Sequence, residues 1–287
     1  MKAGSRDTEH EASHVQGVRG AKDVGLRLVA TDLDGTLLHT DGTVTDRTRG
    51  VLEAVEQRGI TVVFLTGRPV RWMDALWHHV GEHGLAVCSN GGIVYDVAAH
   101  AVAQARPIPR EVGLEVAGLI RAALPGSTFA LERTTGFGRE PDFVPSVHEQ
   151  RSEVVVGPLE DVFDETVVKM LALHPDLGPE DYWAQVGQLV GPLVTTTWSS
   201  TTALIEMSAA GVTKASTLAL LCEELGISPT EVVAFGDMPN DVAMLQWAGT
   251  SYAMANAHPL TAAAADRIAP RNDEDGVARV LEELFLR

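Results

Sequence analysis

Leu26-Arg27-Leu28-Val29-Ala30-Thr31 runs without a break into Asp32-Leu33-Asp34-Gly35-Thr36, and the fold turns on this junction. A short, largely apolar run is what a buried strand needs, and the abrupt change to acids, glycine and threonine ends it in a loop. Outward from there, Thr45 is placed to cap a helix whose Val51, Leu52 and Val55 share one face, with Gly59 at its end. Residues 60–65 follow as a second β-branched run, bounded by Thr66-Gly67-Arg68-Pro69. A further helix and a third run, Leu85–Cys88, lead to Asn90-Gly91-Gly92. Strand, helix and strand in alternation call for parallel crossovers. The rhythm returns late in the chain, where a helical stripe of Ala215, Leu218, Leu221, Cys222 and Leu225 precedes Val232-Val233-Ala234-Phe235 and then Gly236-Asp237.

The stretch between differs in kind. It holds Pro107, Pro109, Pro125, a turn-rich segment over 133–145, the run Val167–Leu173 and a threonine-rich stretch over 195–202, and it reads as α+β. The expected fold class is therefore α/β: a doubly wound parallel sheet of residues 25–91 and 207–287, with an inserted α+β domain of residues 92–206. The crossings fall at 90–92 and 206–211, where glycines ease backbone rotation.

Composition bounds the function classes. With 45% hydrophobic residues in 287, the chain has ample material for a core, and its net charge of −17 opposes general attraction to nucleic acid or anionic lipid. No run approaches the roughly 18 apolar residues of a membrane span. Residues 1–24 lack the apolar block of a secretory signal and are expected to form a disordered tail. Cys88 and Cys222 offer no disulfide framework, are expected to be buried small hydrophobes, and fit a reducing, cytoplasmic compartment.

Asp32/Asp34, Thr66 and Asp237/Asn240/Asp241 each follow an apolar strand directly, so a parallel sheet gathers them at its carboxyl edge, where such folds bind ligands. A single aspartate there is usually a turn former or a cap; recurrence after separate strands favours a site. Two carboxylates one residue apart, in a bend relaxed by Gly35, allow one to attack while the other handles protons. With Asp237 as a third acid the group repels itself unless a hard divalent ion with oxygen ligands relieves it, and magnesium is the natural choice. Magnesium held by few carboxylates takes phosphate oxygens, which points to phosphoryl transfer. Thr66, the Gly67 N–H and Lys214 supply the neutralising partners.

These residues resemble the haloacid dehalogenase superfamily of phosphohydrolases, whose four motifs occur here in order. They are Asp32-Leu33-Asp34-Gly35-Thr36-Leu37-Leu38, then Leu65-Thr66-Gly67-Arg68, then Lys214, then Gly236-Asp237-Met238-Pro239-Asn240-Asp241. The insertion between motifs two and three, Asn90-Gly91-Gly92 and Gly211-Val212-Thr213-Lys214 resemble the Cof-like branch with an α/β cap, although Ala215 replaces a usual glycine and Met238-Pro239 a small polar residue. The resemblance implies that Asp32 attacks phosphorus and that Asp34 protonates the leaving alcohol and then activates water. It further implies a magnesium ion held by Asp32, the Asp34 carbonyl and Asp237, with Asp241 behind them, and phosphate held by Thr66, Gly67, Lys214 and Asn240. The reading is a phosphatase of a small phosphorylated metabolite, such as a sugar phosphate or a phosphorylated cofactor. A phosphosugar mutase or phosphotransferase and a non-catalytic metabolite-binding protein are the alternatives; retention of Asp32, Asp34 and Asp237 argues against the last.

Other residues carry less. His78, His79 and His83 read as a solvated helix face, and Trp72 and Trp77 as packing. Arg139, in the cap segment Gly136-Phe137-Gly138-Arg139-Glu140, is a candidate substrate contact.

Overall fold

The computed structural model describes residues 25–73, 76–77, 84–144, 154–198 and 202–286. The expected tail over 1–24 and the histidines 78, 79 and 83 lie outside these residues.

The apolar runs are strands, as their period and composition require. Strands β1 (Leu28–Asp32), β2 (Thr61–Leu65), β3 (Leu85–Cys88), β4 (Ile93–Asp96) and β5 (Ala101–Ala105) form one side of an eight-stranded sheet. Strands β12 (Val232–Gly236), β13 (Thr250–Met254) and β14 (Arg267–Ala269) complete it, in the order β14-β13-β12-β1-β2-β3-β4-β5. Pairing is parallel from β14 to β3, and the last two strands add an antiparallel hairpin. The first sheet thus continues to Ala105, past the crossing expected at 90–92, because Ile93–Asp96 folds straight back along β3.

Helix α1 (Asp46–Glu56) starts at Thr45, whose Oγ1 accepts from the Thr48 N–H at 3.1 Å. Its Val51, Leu52 and Val55 pack with Val277 and Leu281 over one face of the sheet. The opposite face is covered by Leu218, Leu221, Cys222, Met244 and Leu245. Both cysteines are buried, and burial pushes the Cys88 thiol up to about 12 and the Cys222 thiol up to about 11. Trp77 is core, stacked on Tyr95 with ring centroids 5.4 Å apart, whereas Trp72 is exposed under the Arg71 guanidinium.

The inserted segment builds its own sheet from β6 (Thr128–Arg133), β7 (Gly136–Arg139), β8 (Val154–Val156), β9 (Val167–Leu173), β10 (Val194–Thr197) and β11 (Leu204–Ala209), in the order β10-β11-β9-β6-β7-β8. Side chains alternate across a strand, so one face of this sheet carries Phe129, Leu131, Met170, Ala172, Ile205 and Met207 against helices α2 (Arg110–Ala123) and α3 (Pro179–Val190). The other face carries Glu132, Lys169 and Glu206, all buried. Among the described residues no helix is long and apolar enough to cross a membrane.

Gly91 shows how tightly the junction is built. Its φ is +108°, and a Cβ there would run into the Thr213 carbonyl and stand 2.9 Å from Thr217 Oγ1. Gly91→Ala is expected to cost roughly 2 kcal/mol or more in urea unfolding, because the native backbone suits neither the side chain nor its neighbours.

Candidate active site

The parallel sheet delivers its polar ends to one edge. β1 lies between β2 and β12, so the residues that leave these three strands, Asp32, Thr66 and Asp237, emerge side by side. After Asp32 the chain turns sharply at Gly35 (φ +73°), where a Cβ would collide with the Asp237 carboxylate. The Gly35 carbonyl accepts from Asn256 Nδ2 at 2.7 Å, which ties the bend to the loop after β13.

Lys214 opens helix α4 (Lys214–Leu225), which is capped by Thr213 and Ser216 through reciprocal side-chain to backbone bonds. The cap forms with Ala215 in place, so helix initiation does not require glycine there. From this fixed position the Lys214 ammonium, 1% exposed, donates to Asp32 Oδ1 at 2.6 Å and to Asp241 Oδ1 at 2.7 Å. The second Asp241 oxygen accepts from the Asp237 and Met238 N–H groups, each at 3.1 Å, and closes the turn after β12. Gly236 is needed beneath it, since a Cβ would stand 2.5 Å from that of Asp241.

Asp32, Asp237 and Asp241 each offer a carboxylate oxygen, all within 4.8 Å of one another and all buried. Burial, reinforced by the neighbouring carboxylates and opposed by Lys214, holds the Asp32 carboxyl well above its ordinary range. Asp237 is pushed up to about 7, first by burial and then by Asp241, with a partial offset from Lys214 and from the Thr36 hydroxyl 3.3 Å away. Burial alone would lower the Lys214 ammonium, but Asp241 and Asp32 more than reverse that and raise it. Of the described cations only Lys214 bonds to this trio, so three carboxylates share one ammonium. Such a donor set, all oxygen and in excess negative charge, fits a hard divalent cation.

The other residues singled out from the sequence divide into two groups. Thr66 is buried and its hydroxyl accepts from the Arg68 N–H at 3.0 Å, making a tight turn after β2. Asn240 lies beyond Asp237 and donates from Nδ2 to Asn90 Oδ1 at 3.1 Å. The Asp34 side chain is exposed and turned aside, gripped by the Arg68 fork through Nε to Oδ2 at 2.8 Å and Nη2 to Oδ1 at 2.5 Å. Arg139 stands apart: its Nη1 donates to the carbonyls of Glu140, Pro141 and Phe143 and braces its own turn. No described hydrogen bond or ion pair joins it to the acidic trio.

Sequence reasoning marked Asn90 only as part of Asn90-Gly91-Gly92 and did not single out Lys169 and Glu206, and the fold brings all three beside the motifs. Lys169 Nζ donates to the Gly67 carbonyl at 2.7 Å and to Glu206 Oε1 at 2.8 Å, and Asn90 Nδ2 donates to Glu206 Oε2 at 2.7 Å. A signal existed in the sequence: Lys169 and Glu206 are lone charges inside apolar strands, and a charge in such a run must find a partner.

Residues 29–281 match the haloacid dehalogenase-like hydrolase family. A curated relative, 5-amino-6-(5-phospho-D-ribitylamino)uracil phosphatase YcsE of Bacillus subtilis, is 28% identical over 92% of this chain and 98% of its own length. The pyridoxal phosphate phosphatase YbhA of Escherichia coli is also 28% identical, over 89% of this chain and 97% of its own. Among solved structures, SMU.1108c of Streptococcus mutans superposes with a TM-score of 0.79 at 24% identity, covering 91% of this chain and all of that one.

The raised pKa of Asp237 has a measurable consequence. A carboxyl that binds its proton more tightly folded than unfolded stabilises the fold fully below its ordinary range, and this contribution is lost as pH rises through the folded value near 7. Chelator-treated protein is therefore expected to melt at lower temperature at pH 8 than at pH 5, and Asp237→Asn to flatten that dependence.

Proposed function

The chain belongs to the haloacid dehalogenase-like hydrolases, in their Cof-like branch, and on that premise we propose that it is a magnesium-dependent phosphatase of small phosphate monoesters. The observation that carries this reading is the buried Asp32 carboxylate at the end of β1, held by Lys214 at 2.6 Å and crowded by Asp237 and Asp241.

In this reading Asp32 attacks phosphorus through the oxygen that Lys214 does not hold. The phosphorus–oxygen bond to the leaving alcohol breaks, and the alcohol takes a proton from Asp34. Water then gives a proton back to Asp34 and attacks phosphorus, releasing phosphate and restoring Asp32. Asp34 must swing off the Arg68 fork to do this, and its exposure leaves it room. Lys214, Thr66, the Gly67 N–H and Asn240 hold the phosphoryl oxygens. Asp32, Asp237 and the Asp34 carbonyl, with Asp241 behind them, would hold a magnesium ion, which would supply positive charge against this cluster and polarise the phosphoryl group.

For the leaving group we favour a phosphorylated metabolite with a flat heterocycle. Two relatives are named for phosphorylated compounds of this kind, a ribitylaminouracil and pyridoxal. An aromatic step also rises beside motif four: the Trp198 ring meets the His258 ring edge-on at 5.8 Å, and the His258 backbone N–H donates to the Asp237 carbonyl at 2.8 Å.

The test is phosphate release from para-nitrophenyl phosphate with magnesium, with EDTA, and with Asp32→Asn. Wild-type release is expected to need magnesium and to fall by about a thousandfold or more in the variant, since the nucleophile is gone. Full activity in Asp32→Asn would remove Asp32 as nucleophile. A panel of 5-amino-6-(5-phospho-D-ribitylamino)uracil, pyridoxal 5′-phosphate and sugar phosphates then ranks leaving groups, and preference for the sugars would overturn the heterocycle. Product analysis for free phosphate against an isomer separates hydrolysis from transfer.

A further inference from the structure

A continuous chain of hydrogen bonds runs from the inserted sheet into motif four. Lys169 on β9 plants its ammonium on the Gly67 carbonyl of motif two and on Glu206 Oε1. Glu206 on β11 accepts from Asn90 Nδ2 with its other oxygen, and Asn90 Oδ1 accepts from Asn240 Nδ2. Lys169, Glu206 and Asn90 are all buried, at 2%, 7% and 1% exposure.

The sense of this chain is fixed at one end by charge. A carboxylate only accepts, so the Asn90 atom that faces Glu206 must be its amide nitrogen, and Thr197 Oγ1 receives a second bond from the same nitrogen at 3.0 Å. The Asn90 oxygen is then the atom left for Asn240, which must offer its own nitrogen. Asn240 is thereby oriented with its oxygen pointing elsewhere, buried and without a partner among the described residues. Asn90 is also held at φ 56°, a left-handed backbone that only a few side chains tolerate, so the loop after β3 is shaped to present this amide.

We propose that Lys169, Glu206 and Asn90 are positioning residues that orient Asn240 only while the inserted domain is seated on the core. Lifting that domain breaks the bonds from Lys169 to Gly67 and from Glu206 to Asn90 together. The Asn90 amide is then free to turn, and with it Asn240, so the phosphate site is complete only when the domain is closed. The proposal rests on the reading above for the role of Asn240, but its geometry stands independently of turnover.

Glu206→Gln is the sharp test, because glutamine has one amide oxygen for two donors. The oxygen stays with the Lys169 ammonium, its NH2 group faces Asn90, and the amides of Asn90 and Asn240 must both turn over. The expected result is about a tenfold loss in kcat with KM changed less than about twofold, from one charge-assisted hydrogen bond misdirected. In an Asn240→Ala background the same substitution is expected to add no loss, and the side-chain amide resonances of Asn240 in a 15N spectrum are expected to shift in Glu206→Gln without substrate. Asn90→Gly, which keeps the left-handed backbone, serves as the second variant with the same expectations for kcat and for the Asn240 resonances.

Losses that add in the double variant, or an Asn240 resonance that stays in place in folded Glu206→Gln and Asn90→Gly, would overturn the relay. A wild type that releases no phosphate from any substrate of the panel would instead overturn the phosphatase reading, and the resonances would still decide the relay.

Discussion

Like charge confined at the end of a parallel sheet is the constraint around which this molecule is arranged. Asp32, Asp237 and Asp241 are brought together because β1 and β12 are neighbours and both end at the same edge. Left alone, three buried carboxylates would drive each other to protonate. Lys214 answers part of that charge, and the rest of the local structure serves to keep it there: the capped start of α4, the Asp241 turn beneath, and two glycines where no Cβ fits. The residual excess of negative charge on oxygen ligands is the kind of donor set that suits a hard divalent cation.

The same electrostatic logic governs the contact between the two sheets. The inserted sheet turns an apolar face to its own helices and a face bearing Glu132, Lys169 and Glu206 toward the core. Burying such groups is tolerable only with partners in place. Glu132 takes the fork of Arg71, through Nη2 at 2.6 Å and Nε at 3.1 Å, while Lys169 and Glu206 take each other and the core loops. Burial raises the Glu132 carboxyl even so, with Arg71 and Lys169 pulling it back. Arg71 and Gly67 come from the loop that carries motif two, and Asn90 from the loop after β3, so the inserted sheet is held by the loops that border the acidic edge. Polar contacts of this kind can exchange their partners for water, which apolar contacts cannot do.

Much of this was legible in the residues. Alternation of apolar runs with helical stripes specified parallel crossovers, and Thr45 marked a helix start. The acids could be placed at one edge because each follows a strand directly, a matter of chain order alone. One expectation needed revision. The end of the first sheet moved to Ala105. That depends on which strand folds back on which, and sequence period does not encode it.

By itself, then, the sequence determined the doubly wound core, the inserted α+β segment and the membership of the acidic edge, because strand period, caps and the residues at strand ends are local properties. The tertiary structure alone decided which charges meet: Asp34 with Arg68, Lys214 with Asp32 and Asp241, and Lys169 with Glu206 and Gly67. The physical reason is separation along the chain. Asp32 and Lys214 stand 182 residues apart and Asn90 and Glu206 116, so only the packing of whole elements brings them within hydrogen-bonding reach.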